Sequence, residues 1–268
     1  MGVDLREASP QARAIFEQVD RITSLAISRL CAEGPLEQLT PTEVAQPAVV
    51  ATSLAALAVL RERIPGLEPA AVAGHSVGEL AACVAAGALD EGGALELVAA
   101  RALAMAAACV EVDGTMAAVI GLDEPALQTV CEEASAEDGS VELANLNAPG
   151  QLVISGERQA VARAGEGARA AGARRVLPLA VGGPFHSRYM RPAAEALRDE
   201  LLVQVYSPVR WSASLGRLAA LGCDRFLEVG PGTVLAGLVK RSLPEARVAS
   251  FGTLADLDEA RALLEASA

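Results

Sequence analysis

Ser76 lies in the run Gly74-His75-Ser76-Val77-Gly78. A serine in GxSxG at a strand-to-helix turn sits on a sharp bend that projects its hydroxyl. The next backbone N–H and the helix N-terminus then face a developing oxyanion. Such a hydroxyl attacks well only when a base removes its proton. The chain has two histidines, His75 and His186. His75 adjoins the serine, so its side chain leaves the turn in another direction and reads as structural. His186, in Gly183-Pro184-Phe185-His186-Ser187, is the one placed far enough along the chain to fold back as a base. Small residues are common in tight turns, and a lone histidine is usually a satisfied polar group. The scarcity of histidine and the loop around His186 tip the reading toward chemistry.

Arg101 is set in the apolar run Leu97 to Met105. It either snorkels to solvent or is held inward to meet a fixed anion, for which its planar fork suits a carboxylate. Composition alone favours snorkelling. Gly230-Pro231-Gly232 reads as a turn before it reads as a phosphate cradle. The single lysine, Lys240, with Arg241, Arg188 and Arg191, forms either a basic spot for an acidic partner or solvated helix faces.

The elements that must position these residues follow from spacing. Ser9-Pro10 caps a first helix carrying Ala14, Ile15 and Val19, and Gln46-Pro47 opens a more apolar helix running to about Arg63. Ala70 to Ala73 reads as the strand before the serine turn, with an alanine-rich helix after it. Short units then follow. These are a strand at Met116 to Leu122, a helix at Glu124 to Ala136, two strands between Val141 and Ile154, a helix at Arg158 to Ala171 and a strand at Arg174 to Val181. The order βαββαβ matches a ferredoxin-like subdomain. Strand 225–229, a helix from Thr233 to Leu243, strand 248–251 and a terminal helix complete the chain. The expected fold is α/β. Residues 1–111 and 182–268 form a hydrolase-like core with a mostly parallel sheet, and 112–181 are an inserted ferredoxin-like subdomain.

With 268 residues, 52% of them hydrophobic, the chain can bury a full core. Its net charge of -12 argues against nucleic acid and anionic membrane as partners. Five cysteines with no CxxC pairing read as buried thiols of a reducing cytosol. The longest apolar stretch, Pro47 to Leu60, is too short to span a bilayer, and the N-terminus has no signal-peptide pattern. A cytoplasmic protein is expected.

The chain resembles the malonyl-CoA:acyl-carrier-protein transacylases and the acyltransferase domains of polyketide synthases. The resemblance runs through Ser9 to Arg13, Ala45 to Ala48, GHSVGE at 74–79, Arg101 to Met105, Asn145 to Gln151, Pro184 to Ser187, Gln204 to Trp211 and Glu228 to Gly232. It implies Ser76 as nucleophile and His186 as its base, oriented by the Gln204 backbone carbonyl. The Val77 N–H would be an oxyanion donor, and Arg101 would grip the malonyl carboxylate. Gln46, Asn147 and Phe185 would line the acyl pocket. Val77 and Phe185 match the malonyl rather than the methylmalonyl pattern, since a phenyl beside the α-carbon leaves little room for a methyl branch. It further implies malonyl-CoA as substrate, an acyl carrier protein as partner, and neither a permanently bound cofactor nor a metal.

Against that pattern, an opening strand with a Gly-Gln-Gly-Ser loop is missing ahead of Met1-Gly2, as is a strand-containing stretch between Glu200 and Leu201. Slow transfer and low stability are the expectation on that account. Two rivals remain: a serine hydrolase with an acid such as Asp123 or Glu157 as third member, and a noncatalytic binding module that keeps the fold.

Overall fold

The computed structural model describes residues 1–135, 139–197 and 204–265. Seven helices come first: α1 (Val3–Ala8), α2 (Pro10–Thr23), α3 (Ile27–Glu33), α4 (Leu36–Leu39), α5 (Thr42–Arg63), α6 (Gly78–Ala85) and α7 (Glu91–Val110). Next come β1 (Gly114–Ile120), α8 (Glu124–Ala134), β2 (Val141–Ala148), β3 (Gln151–Glu157), α9 (Arg158–Ala170) and β4 (Arg175–Pro178). The chain continues with α10 (Arg191–Ala196), α11 (Trp211–Ala220), β5 (Arg225–Val229), α12 (Val234–Ser242), β6 (Arg247–Phe251) and α13 (Leu257–Glu265). The junction at Glu200 and Leu201 lies outside the described residues.

Two compact units result. One comprises Met1–Leu39, Glu43–Ala100 and Leu215–Ala268; the other comprises Thr40–Thr42 and Arg101–Ser214, so it reaches beyond 112–181 on both sides. In the first unit, Ser9 caps α2 by accepting the Ala12 N–H, with Pro10 at the first helical position. The apolar stripe Ala12, Ile15, Phe16 and Val19 is buried, as helical spacing requires. β5 and β6 pair in parallel from Arg225 with Arg247 to Val229 with Phe251. The Glu228 carboxylate accepts the N–H groups of Leu235 (3.0 Å) and Ala236 (2.7 Å), which occupies the N-terminus of α12. The cradle that a phosphate would need after Gly230-Pro231-Gly232 is thus filled by the chain's own anion.

Three expectations are corrected here. Residues 71–75 have no regular structure, so the strand expected at 70–73 is not formed. A strand exists only through a paired neighbour, and among the described residues none is paired with this segment. The mostly parallel sheet is, among the described residues, the single pair β5–β6. Finally, α5 does not open at Pro47 but starts at Thr42 and carries Pro47 inside. At that depth a proline removes one intrahelical bond, and the burial of 14 of its residues outweighs the loss. By length and composition α5 and α7 could each cross a membrane, contrary to the shorter stretch read from the sequence; most of α5 is buried inside the protein.

In the second unit, β1, β2, β3 and β4 form one antiparallel sheet in the order β2-β3-β1-β4. Val119, Leu143, Leu152 and Ile154 on one face pack with Leu127, Val130, Val161 and Ala164 of α8 and α9. Met116, Ala144 and Val153 on the other face pack with Leu179, Val181 and Phe185 of the segment that follows β4. Both faces are therefore covered, one by helices and one by the loop leading to His186.

Candidate active site

The first unit presents Ser76. The chain reaches it in irregular backbone and turns sharply, with Ser76 at φ 50° and Val77 at φ −58° as the N-cap of α6. The turn is closed by bonds from Gly78 N–H to His75 O (3.0 Å) and from Glu79 N–H to Ser76 O (3.1 Å). A left-handed conformation at a non-glycine residue costs on the order of 1–3 kcal/mol and persists only where its surroundings enforce it. Ser76 is thus held on a strained bend at a helix N-terminus. Val77, whose N–H follows the serine, and His75 are half-buried, while Gln46 is buried on α5.

The two glycines of the motif do different work. A β-carbon on Gly74 would stand 2.2 Å from backbone atoms of Gly78 and Glu79, whereas one on Gly78 would meet nothing within 4 Å. Gly74→Ala is therefore expected to lower stability by about 3 kcal/mol or more. Gly78→Ala, inside a helix, should leave stability unchanged or raise it by up to about 1 kcal/mol. Thermal melts of both variants check this; a Gly74→Ala protein as stable as the parent would refute the close approach.

His186, in the second unit, is 4% exposed and also left-handed, at φ 56°. Its N–H donates to Val205 O at 3.2 Å. Its Nδ1 lies 3.1 Å from Gln204 O and 3.0 Å from Ser207 O. Carbonyl oxygens only accept, so Nδ1 carries the hydrogen and the neutral ring keeps its lone pair on Nε2, the tautomer a general base needs. The segment that carries these carbonyls is anchored to β2 two residues beyond Ser207. Leu146 N–H donates to Val209 O and Val209 N–H donates to Ala144 O, each at 2.8 Å. Ser187 Oγ donates to Pro184 O at 2.6 Å, which braces the turn from within.

Arg101 is 1% exposed, so it does not snorkel. It shares the inward face of α7 with Val98, Ala102 and Met105, all buried, which carries its side chain into the core. A guanidinium survives there only with fixed acceptors. One is Gln204, whose Oε1 accepts from Arg101 Nε at 3.1 Å. Gln204 thus joins two candidate residues, bonding His186 through its backbone and Arg101 through its side chain. Phe185 packs on Met105, Met190 and the sheet face of Met116 and Val153, and Asn147 is half-buried on β2.

Among the described residues no cluster of His, Cys, Asp or Glu could hold a metal ion. The acids a hydrolase triad would draw on are engaged elsewhere: Asp123 accepts the Ala126 N–H at the start of α8, and Glu157 accepts the Tyr189 hydroxyl. Of the basic residues in the second unit, Arg188 pairs with Glu142, and Arg191 lies 5.8 Å over the Tyr206 ring. None of the five cysteines is joined to another in a disulfide; burial raises the Cys31 and Cys83 thiols and pushes Cys131 up to about 12, so these three stay protonated near neutral pH. Sequence reasoning missed the second acceptor, Ser207. The only signal for it was Pro208, which biases the preceding residue toward extended backbone.

The fold is α/β, with a serine on a strained turn before a helix and a histidine fixed by backbone carbonyls. Residues 1–222 match the family described as the acyl transferase domain, and the chain belongs to that family. It is 41% identical to the malonyl CoA-acyl carrier protein transacylase of Bacillus subtilis, over 90% of this chain and 85% of that protein. It is 38% identical to the Escherichia coli K12 protein of the same name, over 90% and 87%. Among solved structures it resembles a malonyl-transacylase in complex with a type II polyketide synthase acyl-carrier protein (TM-score 0.90, 36% identity, 97% and 94% covered). It also resembles an acyl carrier protein S-malonyltransferase from Vibrio cholerae (TM-score 0.88, 34% identity, 97% and 94% covered).

Proposed function

We propose that this chain carries a malonyl group on Ser76 as an ester and passes it to the phosphopantetheine thiol of an acyl carrier protein. The observation that carries the mechanism is the His186 ring, whose Nδ1 faces two backbone carbonyl oxygens. In this reading Nε2 takes the Ser76 proton as Oγ attacks the thioester carbonyl of malonyl-CoA, and the Val77 N–H stabilises the oxyanion. The imidazolium then returns the proton to the departing coenzyme A sulfur. In the second half, Nε2 takes the proton of the carrier thiol as it attacks the ester, and the imidazolium returns that proton to the departing Ser76 Oγ. Arg101 meets the malonyl carboxylate, Gln46 and Asn147 line the pocket, and Phe185 excludes an α-methyl branch. The similarity to the Bacillus subtilis malonyl CoA-acyl carrier protein transacylase, and to a malonyl-transacylase held in complex with an acyl-carrier protein, supports the donor and the carrier.

We read residues 1–111 and 182–268 as the hydrolase-like core and 112–181 as a ferredoxin-like insertion. The strand order β2-β3-β1-β4 with α8 and α9 on one face supports the second assignment. Cysteines outside any disulfide suit a reducing cytosol. The test is intact-mass analysis after mixing with malonyl-CoA and quenching in acid. One malonyl ester mapping to Ser76, discharged on adding holo carrier protein, is expected. Rapid release of free malonate without carrier would mark a hydrolase, and no adduct a noncatalytic relative.

A further inference from the structure

Two carboxylates on the four-stranded sheet hold the residues that follow His186. Side chains alternate along β2, so Glu142 shares the loop-covered face with Ala144, opposite Val141 and Leu143. Its Oε2 accepts the Arg188 N–H at 3.3 Å, and its Oε1 pairs with Arg188 Nε. Glu157, at the end of β3, accepts the Tyr189 hydroxyl at 2.7 Å. That hydroxyl in turn accepts from the backbone N–H and the Oγ of Ser140, at 3.1 and 3.0 Å, so its one donor and two acceptor sites are filled.

We propose that Glu142 and Glu157 are positioning residues. They seat the Arg188-Tyr189 turn on the sheet and thereby hold the His186 ring against the carbonyls of Gln204 and Ser207. The proposal rests on the reading of His186 as the general base. Stability alone does not account for these contacts, because the Arg188 side chain is 58% exposed and exposed ion pairs contribute little. Their leverage is geometric. His186 stands at φ 56°, two residues from Arg188, and the segment carrying its acceptors is bonded at Val209 to Ala144 and Leu146 of the same strand. β2 thus holds both the ring's own loop, through Glu142, and the segment that carries its acceptors, through Val209, and a displacement of one against the other is felt at Nε2.

The test uses the full chain and single-turnover malonylation of Ser76. Glu142→Ala combined with Glu157→Ala is expected to slow malonylation about 10-fold while the malonyl-CoA KM stays within about twofold, since misplacement of a catalytic group by about 1 Å can cost up to ~10²-fold. Replacing both by glutamine, which keeps one acceptor oxygen at each position, should restore part of the rate. In protein labelled with ¹⁵N-histidine, the His186 ring signal should shift in the alanine variant and return in the glutamine one, with His186→Ala identifying it. A rate within twofold of the parent, or a slowed enzyme with an unmoved His186 signal, overturns the proposal. Should the double alanine variant not fold, Tyr189→Phe removes only the hydroxyl; it must slow malonylation about threefold and move the ring signal, and failure to do both overturns it. His186→Ala tells the two readings apart: if it is as fast as the parent the base assignment falls, whereas a slow His186→Ala beside fast carboxylate variants removes only the positioning.

Discussion

Replacing His186 with alanine is expected to slow malonylation of Ser76 by about 10²–10⁴-fold, the usual worth of a positioned general base. Ser76→Ala should abolish the adduct altogether. The size of the first loss follows from what the ring already has in the folded protein. Its tautomer is fixed by two carbonyl acceptors, so no free energy is spent choosing it at each turnover. Rapid-quench measurement of adduct formation checks this. An unchanged rate in His186→Ala would remove the histidine from the mechanism while leaving the nucleophile in place.

Arg101→Ala is expected to cost malonyl-CoA roughly 2–5 kcal/mol in kcat/KM relative to acetyl-CoA, because the substrate carboxylate would lose its buried partner. The ratio of the two substrates is the quantity to measure. Arg101 also holds the Gln204 side chain, and the Gln204 carbonyl faces His186, so part of the loss should fall on both substrates alike. That common part disappears in the ratio. Equal losses for malonyl-CoA and acetyl-CoA would make Arg101 a purely structural residue.

How much was legible beforehand depended on whether a feature is local. The unit from β1 to β4 was readable because each strand alternates or runs apolar, α8 opens on its own start signal at Asp123 and Pro125, and the turn at Pro149-Gly150 separates two hydrophobic runs; observed bounds fall within a few residues of those expected. The strand at 70–73 failed for the opposite reason, since a strand is defined by a partner that local composition cannot supply. Arg101 was misread in isolation because the same apolar neighbours describe both a snorkelling and a buried arginine. Which face of α7 points inward is decided by tertiary packing. Glu228 shows the limit well: its run of sequence suggested a possible anion site, but not that an anion from β5 already fills it.

The packing of residues 179–185 against the sheet bears on motion as well as on placement. To lift His186 away from Gln204 and Ser207, the loop would have to withdraw Leu179, Val181 and Phe185 from Met116, Ala144 and Val153. Re-exposing three partly buried apolar side chains costs roughly 3 kcal/mol. At any instant fewer than about one molecule in a hundred would have this loop open. The base is therefore ordered when the chain folds rather than when substrate arrives, and the Leu179 amide, which donates to Met116 O, exchanges only when the loop lifts. Donor and carrier in turn would meet a ring that is already in place, so the slow motions of a catalytic cycle must lie elsewhere in the molecule.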